Sequence, residues 1–346
     1  MTQEQKMLRN CTFVKSILMI LVVAGHSLDF WTGEWFTRNP AIMSNFCDLL
    51  SKWLNSFHTY SFVLVSGYLF RYLKYERNNN NRDYEYLTPF VYKKALRLLV
   101  PYAFVSLIWI IPISIYFFHY GLKDIVIKFV MASAPGQLWF LWMLFDVFIG
   151  FFILSGFFDK RTFLGVILVI AIYFIEMYGI KHIPNAFQIW KAAQYLPLFW
   201  IGFEIRKWRL PLAKIEIAMG LFFVYNILFT VIYVMTLVQK GMLLYHACAL
   251  LLHTSGALMA FSTLEIIGEK VHWQDSKQFM MLADNSMIIY LFHQQVIYFV
   301  IVWLNGIVSP EINALANFTV SLGVSLIIAI IVRKWKVTRF LVGEKM

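Results

Sequence analysis

Lys15-Ser16-Ile17-Leu18-Met19-Ile20-Leu21-Val22-Val23-Ala24-Gly25-His26-Ser27-Leu28-Asp29 is an apolar run with a cation at one end and a histidine and an aspartate at the other. A bilayer core of about 30 Å takes roughly 20 apolar residues in a helix, and the run extended over 13–32 meets that length. Lys6 and Arg9 ahead of it imitate a secretory leader. Gly25-His26-Ser27 is a poor cleavage site, so the segment reads as a helix that stays in the chain. At 100° per residue the step from Lys15 to His26 ends within about 20° of three full turns and rises about 16 Å. One helix face thus carries a cation at the membrane edge and an imidazole deep in the opposite half.

Nine further apolar runs follow, at about 53–73, 98–118, 136–157, 162–180, 193–206, 214–238, 243–264, 280–304 and 311–332. The run at 193–206 is short and contains Pro197, so a broken or tilted helix is expected there. The whole composition agrees. Of 346 residues, 60% are hydrophobic and only 14% charged, with a mean hydropathy of +0.66. Soluble domains carry about 25% charged residues, so a soluble enzyme is excluded. The expected fold is all-α: a polytopic membrane protein of about ten transmembrane helices. A single transmembrane domain is expected over 1–346, with no appended soluble domain.

The formal charge of +11 raises the question of nucleic acid. Threading the ten runs with the N-terminus inside puts twenty-three of the thirty Lys and Arg in inner segments. That is the positive-inside bias of short loops, and it predicts cytoplasmic N- and C-termini. No nucleic-acid partner is expected; the partner is the lipid bilayer, and oligomeric state is left open. Cys11, Cys47 and Cys248 stand far apart, which excludes a disulfide framework and argues against zinc. Neither HExxH nor a P-loop occurs, and no metal is expected.

The longest inner connection, 71–97, starts with the polar turn Arg77-Asn78-Asn79-Asn80-Asn81-Arg82-Asp83. Thr88 to Leu99 then reads as an amphipathic helix with Thr88 as N-cap and Pro89 in its first turn. Lys93, Lys94 and Arg97 lie on one side of it. They either snorkel at the interface or form a cationic surface for a phosphorylated ligand.

Ionisable groups within a bilayer are functional candidates because each costs several kcal/mol to insert, about 2.5–3.5 on insertion scales. His26 leads. Asp29, at i+3, is placed to hold one ring nitrogen and fix its tautomer. His58 in the second run falls at a similar depth, and two imidazoles beside a hydroxyl acceptor suit general-base chemistry. Gln137 and Trp139 open the fourth run from outside and are candidates for substrate contact. Trp31, Trp35 and Trp53 cluster near the same surface, where interfacial aromatic belts are common. Asp146 is expected either to pair with a histidine or to line a hydrated cavity. His293 and Tyr290 read as structural hydrogen-bonding groups, and His253 and Glu176 as either local packing or pore features.

Lys15-x10-His26, with Val22-Val23-Ala24-Gly25-His26-Ser27, resembles the Arg-x10-His signature and "LVVxGHS" segment of the membrane-bound acyltransferase-3 family. Further matches follow in order. Phe57-His58 through Ser66-Gly67-Tyr68 is similar to "FHMPLFFFLSGY", and Lys93-Lys94-Ala95-Leu96-Arg97-Leu98-Leu99-Val100-Pro101-Tyr102 to "KKxxRLLxPY". Leu138-Trp139-Phe140-Leu141 resembles "LWFL", and Leu196-Pro197-Leu198-Phe199-Trp200-Ile201-Gly202 the family's Pro/Phe/Gly segment. Asn285-Ser286-Met287-Ile288-Ile289-Tyr290-Leu291-Phe292-His293 resembles "NSLxIYLxH". Lysine replaces arginine at 15, keeping the charge but losing the planar fork. Tyr60 stands where proline is common, and Ala283 where glycine often precedes the Asn-Ser pair.

The resemblance implies an integral-membrane O-acyltransferase in a bacterial cytoplasmic membrane. It would take an acyl group, usually acetyl, from acetyl-CoA to a hydroxyl of a surface polysaccharide or lipid-linked glycan. Lys15, Lys93, Lys94 and Arg97 would hold the phosphates of the coenzyme. His26 would act as general base or as transient acyl carrier. The rival expectation is a proton-coupled transporter or flippase; the absence of an internal repeat counts against it.

Overall fold

A computed structural model describes residues 2–33, 35–77, 82–238, 242–271 and 276–344. Asn78–Asn81 of the expected polar turn, together with Lys240 and Lys345, lie outside the described residues. No strand occurs among those described, and the chain is a helical bundle. Among the described residues, eight helices are long and apolar enough to cross a membrane. The elements used below are α1 (Gln3–Leu28), α2 (Asn45–Asn55), α3 (His58–Arg71) and α4 (Leu87–Phe118). They continue with α5 (Trp139–Lys160), α6 (Thr162–His182), α7 (Ile189–Lys207), α8 (Ile215–Val238) and α9 (Met242–Lys270). Last come α10 (Lys277–Leu304), α11 (Pro310–Val332) and α12 (Lys336–Leu341).

Two of the ten expected spans are not among the eight: 53–73 and 193–206. The first breaks in two. α2 ends at Asn55, and α3 starts at His58. The Ser56 hydroxyl donates to the Trp53 carbonyl at 2.8 Å, which holds the turn between them. α3 runs straight on into a π-helical turn over Tyr72–Glu76, so it lacks apolarity more than length: His58, Thr59 and Ser61 open it, and Arg71 and Lys74 stand near its end. The second exists as α7, an unbroken helix with Pro197 inside it. It carries Lys191, Glu204, Arg206 and Lys207, too much charge for a lipid-facing span.

Packing explains both departures. α3 and α7 lie against each other, with α1, α5, α6 and α9 around them. Their close approach depends on two reciprocal glycines. A Cβ on Gly67 would fall 1.9 Å from the Phe199 carbonyl oxygen, and one on Gly202 would fall 1.9 Å from that of Leu64. Small residues that let backbones touch are a common way to join helices in a membrane. Helices enclosed by protein need no lipid-compatible surface.

The expected amphipathic helix over Thr88 to Leu99 is also revised. It is not separate: α4 starts at Leu87 and runs on through Pro101. Tyr86, rather than Thr88, is the N-cap. The two ends of the chain lie at the same end of the bundle. Glu4 on α1 accepts from Tyr72 just after α3, Lys6 pairs with Glu269 on α9 at 3.3 Å, and Gly343 after α12 packs on the Arg97 carbonyl of α4. That end carries the cluster of Lys93, Lys94 and Arg97.

Candidate functional site

α1 carries Lys15 and His26 on one uninterrupted helix, so the face expected from their spacing is present. Three imidazoles gather at its far end: His26, His58 and His293 lie within electrostatic reach of one another. His26 Nδ1 is 2.8 Å from Nε2 of His293 on α10, and the two rings are within 5° of parallel. The indole of Trp35 sits 6.3 Å from the His26 ring, centroid to centroid, and packs in turn on Tyr298. His58 and His293 are 3% and 0% exposed. His26 alone of the three is partly open.

Asp29 does not hold His26. Its Oδ1 accepts from Ser51 Oγ at 2.5 Å and from Asn55 Nδ2 at 2.6 Å, both on α2. With the Asn55 amide nitrogen directed at the carboxylate, Asn55 Oδ1 faces His58 Nε2 at 2.8 Å and accepts a hydrogen bond from its N–H. The Thr59 hydroxyl, 2.8 Å away, then donates to the remaining lone pair on His58 Nδ1. His58 therefore has both ring nitrogens committed to Asn55 and Thr59. A Cβ on Gly25 would lie 2.9 Å from Asn55 Oδ1 and 3.1 Å from His58 Nε2, so glycine next to His26 gives this hydrogen-bonded pair its room.

Gln137 is not free to bind substrate. Its Nε2 donates to the Leu291 carbonyl at 3.1 Å and to Gln295 Oε1 at 2.8 Å, and its Oε1 accepts from Gln295 Nε2 at 3.0 Å. The Tyr290 hydroxyl bonds its backbone carbonyl. The residue is a clasp between the start of α5 and α10, beside His293. A Gln137→Leu variant leaves the buried Gln295 amide unpaired at a cost of about 1–3 kcal/mol. Thermal unfolding in detergent should register this as a lower midpoint, with KM for the acceptor unchanged.

Trp139 packs on Tyr195 at 5.6 Å, Tyr195 stacks on Tyr60 at 4.3 Å, and Tyr60 on His253 at 3.8 Å. Trp139 thus closes an internal aromatic column. His253 is tied to it and to the Ser56 carbonyl, 2.7 Å from Nδ1. Asp146 is half-buried on α5 and pairs with no histidine among the described residues. Trp31 is 2% exposed and belongs to the core.

The other end of the Lys15–His26 face is cationic. Lys15 and Arg97 are near enough to repel each other, and Lys94 is repelled by Arg97, Lys15 and Lys93. Lys93 pairs with Asp83. Among the described residues Lys15, Lys94 and Arg97 have no carboxylate partner. Lys94 lies 3.5 Å from the ring centre of Phe148 and donates to the Tyr84 hydroxyl at 3.3 Å. Burial pushes Tyr84 up to about 12, so it meets Lys94 as a neutral phenol. Like charges gathered without counter-charges fit an anionic ligand.

The bundle of membrane-length helices thus carries a partly open imidazole at one end of a helix face and, among the described residues, cations without a carboxylate partner at the other. The family model for acyltransferase-3, described as an acyltransferase domain, matches residues 11–334, and the chain belongs to that family. The protein is a membrane acyltransferase. No curated protein and no solved structure matches the chain.

Proposed function

We propose that the protein transfers an acyl group, acetyl in the simplest case, from acyl-coenzyme A to a hydroxyl of a glycan or lipid-linked saccharide. The observation that supports this most is the α1 face. It joins Lys15 and Arg97, which have no carboxylate partner among the described residues, to the one partly open imidazole of the three-histidine cluster across a rise of about 16 Å. That rise suits an extended pantetheine arm. Lys15 and Arg97, with Lys93 and Lys94 beside them, would hold the phosphates, and this basic end would face the cytoplasm by the positive-inside rule. His26 would take the proton of the acceptor hydroxyl as its oxygen attacks the thioester carbon.

The test uses the protein purified in nanodiscs with labelled acetyl-coenzyme A and a panel of glycans. Label should move to an acceptor hydroxyl with release of free coenzyme A. If no coenzyme binds and a proton gradient instead drives uptake of a solute, the reading falls and the protein moves its substrate unmodified. An Arg97→Gln or Lys15→Gln variant loses a charge-assisted contact worth about 1.5–3 kcal/mol. KM for acyl-coenzyme A should then rise about tenfold or more, with kcat less affected and a weaker dependence on salt. An unchanged KM in both would locate the phosphates elsewhere.

A further inference from the structure

The bond between His26 and His293 has a direction, which the backbone of α10 dictates. His293 Nδ1 lies 3.0 Å from the Ile289 carbonyl oxygen and 2.9 Å from that of Tyr290. Carbonyl oxygens only accept, so Nδ1 of His293 carries a proton. In the neutral ring its Nε2 is then a lone pair. That lone pair faces His26 Nδ1 at 2.8 Å, so His26 must donate from Nδ1. The remaining nitrogen of His26, Nε2, is left with a free lone pair, and it has no hydrogen-bond partner among the described residues.

We propose that His293 is a positioning residue for acyl transfer, holding His26 in the tautomer whose Nε2 is the base. The inference rests on the reading of His26 given above. His293 is fully buried and is itself anchored at Nδ1, so it has no route to substrate and acts only through His26. The step balances as follows. Nε2 of His26 takes the hydroxyl proton while the hydroxyl oxygen forms a bond to the thioester carbonyl carbon. Collapse of the tetrahedral species breaks the carbon–sulfur bond and expels the coenzyme thiolate. Nε2 then returns its proton to that sulfur. Throughout, Nδ1 of His26 stays bonded to His293. The bond strengthens when His26 is a cation, because charge-assisted hydrogen bonds are stronger than neutral ones. An aspartate orients the histidine of serine hydrolases by similar logic; here the orienting group is a neutral imidazole fixed by two main-chain carbonyls.

The experiment combines three variants with a spectroscopic readout. Gln places an acceptor oxygen near the position of the His293 Nε2, whereas Asn reaches only as far as Nδ1. His293→Gln should therefore keep most of kcat, while His293→Asn and His293→Ala should lose about a hundredfold or more, with KM for acyl-coenzyme A unchanged in all three. Nitrogen-15 NMR of histidine-labelled protein should give an unprotonated Nε2 and a protonated Nδ1 for His26 in the wild type. In the Ala variant the two tautomers should mix. A wild-type spectrum with the opposite tautomer overturns the proposal, as does a Gln variant no better than Asn. If the wild type shows the expected tautomer but transfers no acyl group, the reading of the reaction fails while the tautomer assignment stands.

Discussion

A His26→Ala variant should fold, bind acyl-coenzyme A and transfer acyl groups at no more than about one hundredth of the wild-type rate. Positioned acid–base groups contribute about 10²–10⁴-fold. Of the three clustered imidazoles only His26 combines exposure with a free nitrogen, since His58 is saturated by Asn55 and Thr59 and His293 by its carbonyls and His26. The alanine removes no buried charge, and the imidazole it deletes is only partly enclosed, so loss of rate should not be accompanied by loss of fold. The measurement is single-turnover transfer from labelled acetyl-coenzyme A, beside equilibrium binding of the coenzyme. Full activity in a folded His26→Ala protein removes His26 from the chemistry. His58→Ala is the informative partner: it should lower stability through the brace on Asp29, and its effect on rate should be the smaller.

The largest effect on stability belongs to Gly202→Ala. One methyl group would stand 1.9 Å from the Leu64 carbonyl oxygen and 2.9 Å from the Tyr68 amide nitrogen. Both neighbours are backbone of α3, so no side-chain rotation relieves the clash, and the two helices must separate along their whole contact. Overpacking of this kind costs about 1–3 kcal/mol where side chains can yield, and here the upper end or beyond is expected. Gly67→Ala should act alike, because the same contact is met from the other side. Gly220→Ala on α8, where a Cβ meets nothing within 4 Å, is the control and should leave the protein intact. Fluorescence-detected size exclusion after graded heating separates the outcomes. A Gly202→Ala protein as heat-resistant as the control would mean that α3 and α7 are not held backbone to backbone.

The separation of Lys15 and His26 was legible without coordinates, because helical periodicity is a local property and α1 is one unbroken helix. The same holds for the cations at 93, 94 and 97, which share a side of α4. The break at Ser56-Phe57 was not legible. Hydropathy averages over the turn: Trp53 and Leu54 before it and Phe62 to Val65 after it mask the polar Asn55, His58, Thr59 and Ser61 that flank it. Asp29 misled for a related reason: i+3 spacing put it within reach of His26, but Ser51 and Asn55 on α2 offer it two donors, and a carboxylate goes where donors are. His293 carried two signals, an ionisable group deep in an apolar run and the last place in the segment resembling "NSLxIYLxH", but neither names its partner. Its partner stands 267 residues away in sequence, a relation that single-chain periodicity does not encode.

Composition, apolar run length and ordered motifs were enough to indicate a membrane bundle and a family, and to single out His26 as the candidate base. These depend on how each segment meets lipid or itself. Tertiary structure alone decided which nitrogen of His26 lacks a partner, which polar groups are occupied in bracing it, and why two central helices tolerate polar and charged residues that a lipid-facing span excludes. Those outcomes depend on register between helices. Register follows from where backbones can approach, at Gly67 and Gly202 above all, and from which buried donors find acceptors, and apolar faces that look equivalent to a hydropathy profile differ in both.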